Sequence, residues 1–356
     1  MKDELILTAG GKRISGWDSV RVTRGIERLP SDFDLSLMDY YPGNEEKQLV
    51  LPGDSCTVHL GDDLVMTGYV DRWNPVIGKE RHEVRATGRS KCQDLVDCSA
   101  EWPNNVISQA NALQIAQKLA APYGITVSSD VNNMTTVPQF TLNWGESSQE
   151  VIDRITRWAA LMYYDKPDGS LFLTRVGTAK AASGVAQGEN IETASFMSSM
   201  DERFSDYVGV SMSMTPAMEL SPDSGYSAVT LARAQDPEVA KMRYRNRIVI
   251  VESTMNSHGQ AQNCIDWEMN RRYGRSRRLQ VEIDSWRDKA GKLWEPNTLI
   301  PINIPVFGLN NVQWLLAEVT FTRDERGTRA NLIMMPKEAF AVQPYQFYSQ
   351  VQELNR

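Results

Sequence analysis

Apolar residues recur at every second position from the start of the chain to about Asp97: Val20 and Val22, then Phe33, Leu35 and Leu37, then Cys56, Val58 and Leu60, then Val84 and Ala86. Polar residues mostly fill the gaps. A period of two sends successive side chains to opposite faces, so these runs predict half-buried antiparallel strands. Pro52-Gly53-Asp54, Gly61-Asp62-Asp63 and Ile77-Gly78-Lys79 fall between the runs, where turns need Gly, Asp or Pro. Many short strands with few helices predict a barrel or sandwich.

The period then changes. Asn111-x-x-Gln114 has the form of a capping box, and Ala112, Ile115, Ala116 and Leu119 follow at helical spacing until Pro122 and Gly124 end the segment. A strand is predicted at Gly124-Ile125-Thr126-Val127. The same logic repeats at Ser147-x-x-Glu150, whose helix buries Val151, Ile152, Ile155, Trp158, Ala159 and Met162. Asp168-Gly169 then turns a hairpin between Met162-Tyr163-Tyr164 and Leu171-Phe172-Leu173. Thr178 to Gly188 reads as a linker, and Ser211 to Ala240, with little periodicity, as a long or mobile loop. Beyond it the pattern predicts a strand carrying Met242, Tyr244, Ile248 and Ile250, a helix over 257–275 opening at Ser257-x-x-Gln260, and strands beginning with Leu279, Val281 and Ile283.

One order of elements occurs twice. Pro52-Gly53-Asp54-Ser55-Cys56-Thr57-Val58, a turn, and Val65-Met66-Thr67-Gly68-Tyr69-Val70 are echoed by Pro296-Asn297-Thr298-Leu299-Ile300-Pro301-Ile302, a longer turn, and Leu315-Leu316-Ala317-Glu318-Val319-Thr320. A charged turn with Gly78 or Gly327 and a third strand follow in each case. Few residues are identical, so the pattern alone leaves open whether the two are related. The expected fold is mainly β with α+β parts: two related antiparallel β-barrel domains plus a small α/β domain. The boundaries are a first barrel over 1–97, the α/β domain over 98–178, and a region 179–343 holding the linker, the long loop, the helix and a second barrel-like part. A C-terminal tail covers 344–356.

Composition narrows the class. At 356 residues, 41% hydrophobic and 23% charged, the chain predicts two to four domains. Its net charge of -7 and pI near 5.2 argue against a general nucleic-acid binder, since phosphate binding rests on Lys and Arg. Asp3 and Glu4 stand where an export signal would be basic, and no window reaches the roughly 20 apolar residues of a membrane span. Cys56, Cys92, Cys98 and Cys264 show no CxxC spacing, which predicts a reduced, cytosol-made, metal-free chain.

Candidate chemistry is sparse. His59 falls in a predicted strand, His82 beside a charged turn and His258 at a helix start, and none belongs to a metal or catalytic signature. Asp223-Ser224-Gly225 matches an aspartic-protease tripeptide but lacks the apolar strand that would hold a dyad carboxylate. Gly10-Gly11-Lys12 lacks the rest of a phosphate-binding loop. The acidic pairs Asp62/Asp63, Asp201/Glu202 and Asp324/Glu325 read as turns or polar connections, although distant acids can converge in a glycosidase.

The basic features are sharper. Arg243, Arg245 and Arg247 alternate as along one strand face, and Arg271, Arg272, Arg275, Arg277 and Arg278 crowd the end of the predicted helix. Cations there complement a helix dipole, and an arginine ladder is ordinarily solvated or ion-paired. The competing reading is a charged contact between subunits. Trp286 and Trp294 bracket the turn at Asp288-Lys289-Ala290-Gly291-Lys292 and are either core or interface anchors.

Gly88-Arg89-Ser90-Lys91-Cys92-Gln93-Asp94-Leu95-Val96-Asp97-Cys98-Ser99-Ala100 carries a further signal. With Arg271-Arg272-Tyr273-Gly274-Arg275-Ser276, Gly291-Lys292-Leu293-Trp294-Glu295-Pro296-Asn297-Thr298, and the close Gly327-Thr328-Arg329-Ala330 and Met335-Pro336-Lys337-Glu338-Ala339-Phe340, it resembles, along nearly the whole chain, the central baseplate hub proteins (43 kDa tail protein, late-control D-like) of Mu-like contractile-tailed phages. The resemblance implies a homotrimeric ring of two similar barrels per subunit, joining a sixfold tail tube to a trimeric spike protein and leaving a passage for DNA. It implies a virion protein of the tail baseplate, assembled in the bacterial host cytoplasm among other baseplate proteins, with no stable membrane insertion, no cofactor, no metal and no catalytic residues. Its contact residues are sought among Arg243, Arg245, Arg247, Arg271, Arg272, Arg275, Trp286 and Trp294. Two alternatives stay open: a tail-associated cell-envelope hydrolase or glycan-binding module, and the same hub role in a tailocin or type VI-like device.

Overall fold

Alternating side chains make the strands, and backbone pairing joins most of them into one sheet. The computed structural model describes residues 4–38, 50–79, 82–134, 136–137, 139–212, 228–250 and 258–342. The first half supplies β1 (Leu5–Ala9), β2 (Lys12–Ile14), β3 (Ser19–Gly25), β4 (Asp32–Met38), β5 (Ser55–Leu60), β6 (Asp63–Ile77) and β7 (His82–Ser90). They pair antiparallel in the order β2-β1-β5-β6-β7-β4-β3. Leu5, Leu7, Val22, Phe33, Leu35, Val58 and Leu60 are buried at alternate positions, as the period of two requires.

A smaller α/β unit follows. It contains α1 (Gln93–Asp97), the two-residue strands β8 (Val106–Ile107) and β9 (Ala110–Asn111), and α2 (Ala112–Ala120). Next come β10 (Val127–Ser129), β11 (Thr136–Val137), β12 (Phe140–Thr141), α3 (Ser148–Trp158), β13 (Met162–Asp165) and β14 (Leu171–Thr174). Both capping boxes form: Asn111 with Gln114 and Ser147 with Glu150 exchange side-chain and backbone bonds at the starts of α2 and α3. The helices cover the sheet β10-β14-β13, whose hairpin turns at Gly169 with φ 80°. Cys92 and Leu95 already belong to this unit's core, so the unit begins ahead of residue 98.

The rest of the chain adds β15 (Val185–Ala186), β16 (Ile191–Ser198), β17 (Asp206–Met212), β18 (Ala228–Gln235), α4 (Pro237–Met242), β19 (Asn246–Ile250), α5 (His258–Arg275), β20 (Arg277–Ile283), β21 (Leu299–Ile304), β22 (Leu309–Asp324) and β23 (Gly327–Met335). Their principal order is β15-β21-β22-β23-β20-β16. The pairing β3–β22 then fuses both halves into one 13-stranded sheet over a continuous core.

Three expectations need correction. The stretch 211–240 is not one loop: β18 pairs with β17 and α4 follows it, with Asp236 accepting from the backbone N–H of Glu238 and Val239 as N-cap. Met242 ends that helix instead of joining a strand, and Arg243 and Arg245 precede β19, so only Arg247 of the three arginines lies on it. Thr178–Gly188 is laid along the sheet, through Lys180 beside Leu299 and Val185 beside Ile302. Residues 213–227, Asp223-Ser224-Gly225, the capping Ser257 and the tail from Tyr345 to Arg356 lie outside the described residues.

Candidate assembly interface

The two halves repeat each other in strand order and in register. The order β5-β6-β7-β4-β3 returns as β21-β22-β23-β20-β16. On the hairpin β6–β7, the pairs Val70↔Gly88 and Arg72↔Thr87 flank an extra residue, Asp71, and on β22–β23 the pairs Leu316↔Met334 and Glu318↔Ile333 flank Ala317 in the same way. A bulge bends and twists its strand, so one bulge at one place in both hairpins gives them the same curvature.

The halves meet where β3 runs antiparallel to the second part of β22. Val22 lies opposite Phe321 and Thr23 opposite Thr320, whose hydroxyls are 3.3 Å apart. Val20, Val22, Val319 and Phe321 are all buried, and Arg28 reaches Glu318 at 3.6 Å at the rim. The α/β unit docks nearby: Asp165 accepts from the Ser31 N–H and hydroxyl, both at 2.9 Å, and the Thr67 hydroxyl donates to the Pro167 carbonyl at 2.9 Å. Burial pushes the Arg24 guanidinium below its ordinary pKa, an effect opposed by Asp165 and Glu295.

The arginines singled out by sequence cluster, but mostly on their own chain. Arg272 pairs with Glu268 at 2.8 Å and Glu202 at 3.4 Å, Arg271 donates to the Ala339 and Ala341 carbonyls and to Glu27, and Arg275 also binds Glu27. Arg245 donates to the Met200 and Asp201 carbonyls. Arg245, Arg272 and Arg247 surround the Phe204 ring at 5.0, 5.5 and 5.7 Å, a cation–π cluster that fastens α5 to the sheet β18-β17-β19. Arg243 is exposed at the end of α4. Trp286 and Trp294 are corrected as interface anchors: they are 1% and 2% exposed, and their indole N–H groups donate to the Thr322 and Arg329 carbonyls and to the Ser285 carbonyl. Buried indoles take such partners because an unpaired N–H costs free energy.

Sequence reasoning missed the exposed apolar surface. Trp144 is 92% exposed beside α3, and Met242 on α4, Tyr244 in the link that follows it, and Ile248 and Ile250 on β19 are exposed. Val76 and Ile77, at the end of β6, and Met197, on β16, are exposed at strands that carry no neighbour on that side among the described residues. The run Trp73-Asn74-Pro75-Val76-Ile77 was the available signal.

A cleft of about 470 Å³ lies between α3, α5 and residues 26–29. Its charged groups are committed to each other, Asp153 to Arg157 at 3.0 Å and Glu27 to Arg271 at 3.3 Å. One acid of each pair considered for glycoside chemistry is likewise engaged: Asp63 with Arg287 at 2.6 Å, Glu202 with Arg272 at 3.4 Å and Asp324 with Arg329 at 3.2 Å. Among the described residues no group of three or more His, Cys, Asp or Glu is placed to hold a metal.

Comparison with known proteins agrees with this architecture. The family model of the Mu phage baseplate assembly protein GpP-like N-terminal domain matches residues 4–90, that of the baseplate hub protein gp44-like second domain matches 92–175, and that of the GpP fourth domain matches 257–343. The 43 kDa tail protein of prophage MuSo2 from Shewanella oneidensis superposes with a TM-score of 0.83 at 28% identity, over 97% of this chain and 100% of that one. A tail protein from Neisseria meningitidis MC58 superposes with a TM-score of 0.77 at 20% identity, over 97% and 99%. The baseplate hub protein gp44 of Escherichia phage Mu is 30% identical over 347 residues, covering 96% of this chain and 90% of that protein. With that identity sustained from end to end, the chain belongs to the gp44 family of phage baseplate hub proteins.

Proposed function

We propose that this hub works without catalysis, as a homotrimeric ring in the virion baseplate, assembled in the host cytoplasm. Two similar lobes per chain put six on the ring, so one face meets a sixfold tail tube and the other a trimeric spike protein. DNA passes through the centre once the spike is gone. The observation that carries this reading is the duplicated sheet with its matched bulges at Asp71 and Ala317, since a chain with two copies of one lobe turns threefold symmetry into quasi-sixfold symmetry. The engagement of one acid of each candidate pair in an ion pair supports this reading. Native mass measurement tests the ring: three times the 40.1 kDa chain mass supports it, and a stable monomer at micromolar concentration counts against it. A peptidoglycan zymogram is expected to show no clearing, and clearing would restore the envelope-hydrolase alternative.

A further inference from the structure

Within one chain, the first lobe offers the edge of β3 to the free half-edge of β22. Each lobe should carry both an offering and an accepting edge, so the unused equivalents are the telling ones. β22 is long enough to be shared on one side, with β21 along its first part and β3 along Glu318–Arg323. Its counterpart β6 pairs with β5 along its first part, while among the described residues nothing pairs with that side of Arg72–Ile77. The counterpart of β3 is β16, which among the described residues pairs only with β20.

The shared register fixes how these edges match. Phe33↔Gly88 corresponds to Leu279↔Met334, and Val22↔Phe33 to Phe196↔Leu279, so Val22 and Phe196 are equivalent, as are Phe321 and Pro75. We propose that Arg72–Ile77 on β6 of one chain pairs antiparallel with Ala194–Ser199 on and just beyond β16 of the next, repeating between chains the seam that β22 and β3 make within one. Pro75 then lies opposite Phe196, Asn74 opposite Met197, and Ile77 opposite Ala194. This deepens the ring reading and rests on it.

Three observations select a second copy as the occupant. The in-chain seam buries Val20, Val22, Val319 and Phe321, whereas their equivalents Ala194, Phe196 and Trp73 are only half-buried, Pro75 is exposed, and Ile77 at the end of the same strand is 79% exposed. The rim charges are complementary: counting on past the strand ends by the same interval brings Arg28 onto Glu202, which within its own chain pairs with Arg272 at 3.4 Å, and Glu318 onto Arg72, so the rim again carries opposite charges with the signs exchanged. Glu202 and Arg72 are both exposed. The contact is also head to tail, joining different faces of the two copies, which is the class of interface that builds closed rings. Pro75 withholds one donor, but so does Pro301 in β21, which is paired on both sides. Covering such an edge removes a template for uncontrolled strand addition.

Directly opposed residues of an antiparallel pair have Cα atoms about 4.5–5.5 Å apart, within disulfide reach. The test is the full chain carrying Asn74→Cys and Met197→Cys, with Cys98 and Cys264 changed to Ser, oxidised with diamide and read in parallel by native mass and a non-reducing gel. The expected result is a trimer in solution whose chains become covalently linked through all three seams, while either single-cysteine variant stays uncrosslinked. A trimer that forms no interchain disulfide overturns the strand pairing and leaves the ring standing. A monomer overturns both.

Discussion

At the scale of single residues, burial and pairing fix what each group can do. Desolvation pushes the Cys56 thiol up to about 12 and the Cys92 thiol well above its ordinary value, so neither ionises near neutrality. Alkylation at pH 8 should therefore spare both until denaturant is added; labelling of Cys56 in the folded protein would contradict its burial. Arg203, 1% exposed, binds both carboxylate oxygens of Asp236 at 2.9 Å. Arg203→Met strands that buried carboxylate, and denaturation should show a loss of about 3–5 kcal/mol; a loss under about 1 kcal/mol would mean the pair is dispensable. The guanidinium of Arg85 holds the Asp34 carboxyl below the ordinary carboxylate range. The stability this gives is fully present above the unfolded pKa of about 4 and is lost as pH falls through the lower folded value. Asp34→Asn should thus be less stable than the parent at pH 7, with the gap closing in acid. Individual roles were the least legible layer of the sequence. Arg271 and Arg272 stood out as basic, but their commitment to Ala339, Ala341 and Glu202 depends on which distant segments α5 meets.

At the scale of elements, local rules worked where the stabilising partners are local. The capping boxes of α2 and α3 and the hairpin at Gly169 are set by neighbours a few residues away and formed as their sequences predict. Ser147→Ala should cost about 1 kcal/mol of stability, read by chemical denaturation, while Ser147→Thr retains most of it. β18 escaped notice because small residues dilute its alternation, and its order comes from pairing with β17 and packing beneath α5. α5 itself depends on a close approach: a Cβ on Gly274 would lie 2.1 Å from the Ala339 nitrogen. Gly274→Ala should push away the turn at Lys337–Phe340 at a cost of about 1–3 kcal/mol. The same variant should alter Trp267 fluorescence, because that indole donates to the Ala341 carbonyl at 2.7 Å. Unchanged emission would show that the turn tolerates the methyl group.

At the scale of the whole molecule, the duplicated order of turns and strands was visible in the sequence, yet the bond between the lobes was not. The hairpin echo follows from nearby residues, whereas β3 and β22 meet across almost the entire chain, and no local pattern encodes such a pairing. The same limit hid the edges at Arg72–Ile77 and Ala194–Ser198, which appear as apolar residues without cover only once the sheet is assembled. The proposed ring would need only the two similar lobes, the seam made within the chain and a copy of that seam between chains. An averaged electron-microscopy image of the purified assembly is the most direct test. A threefold ring of six similar lobes around an open centre is the expected result; isolated monomers, twofold dimers or open filaments would contradict the proposed ring.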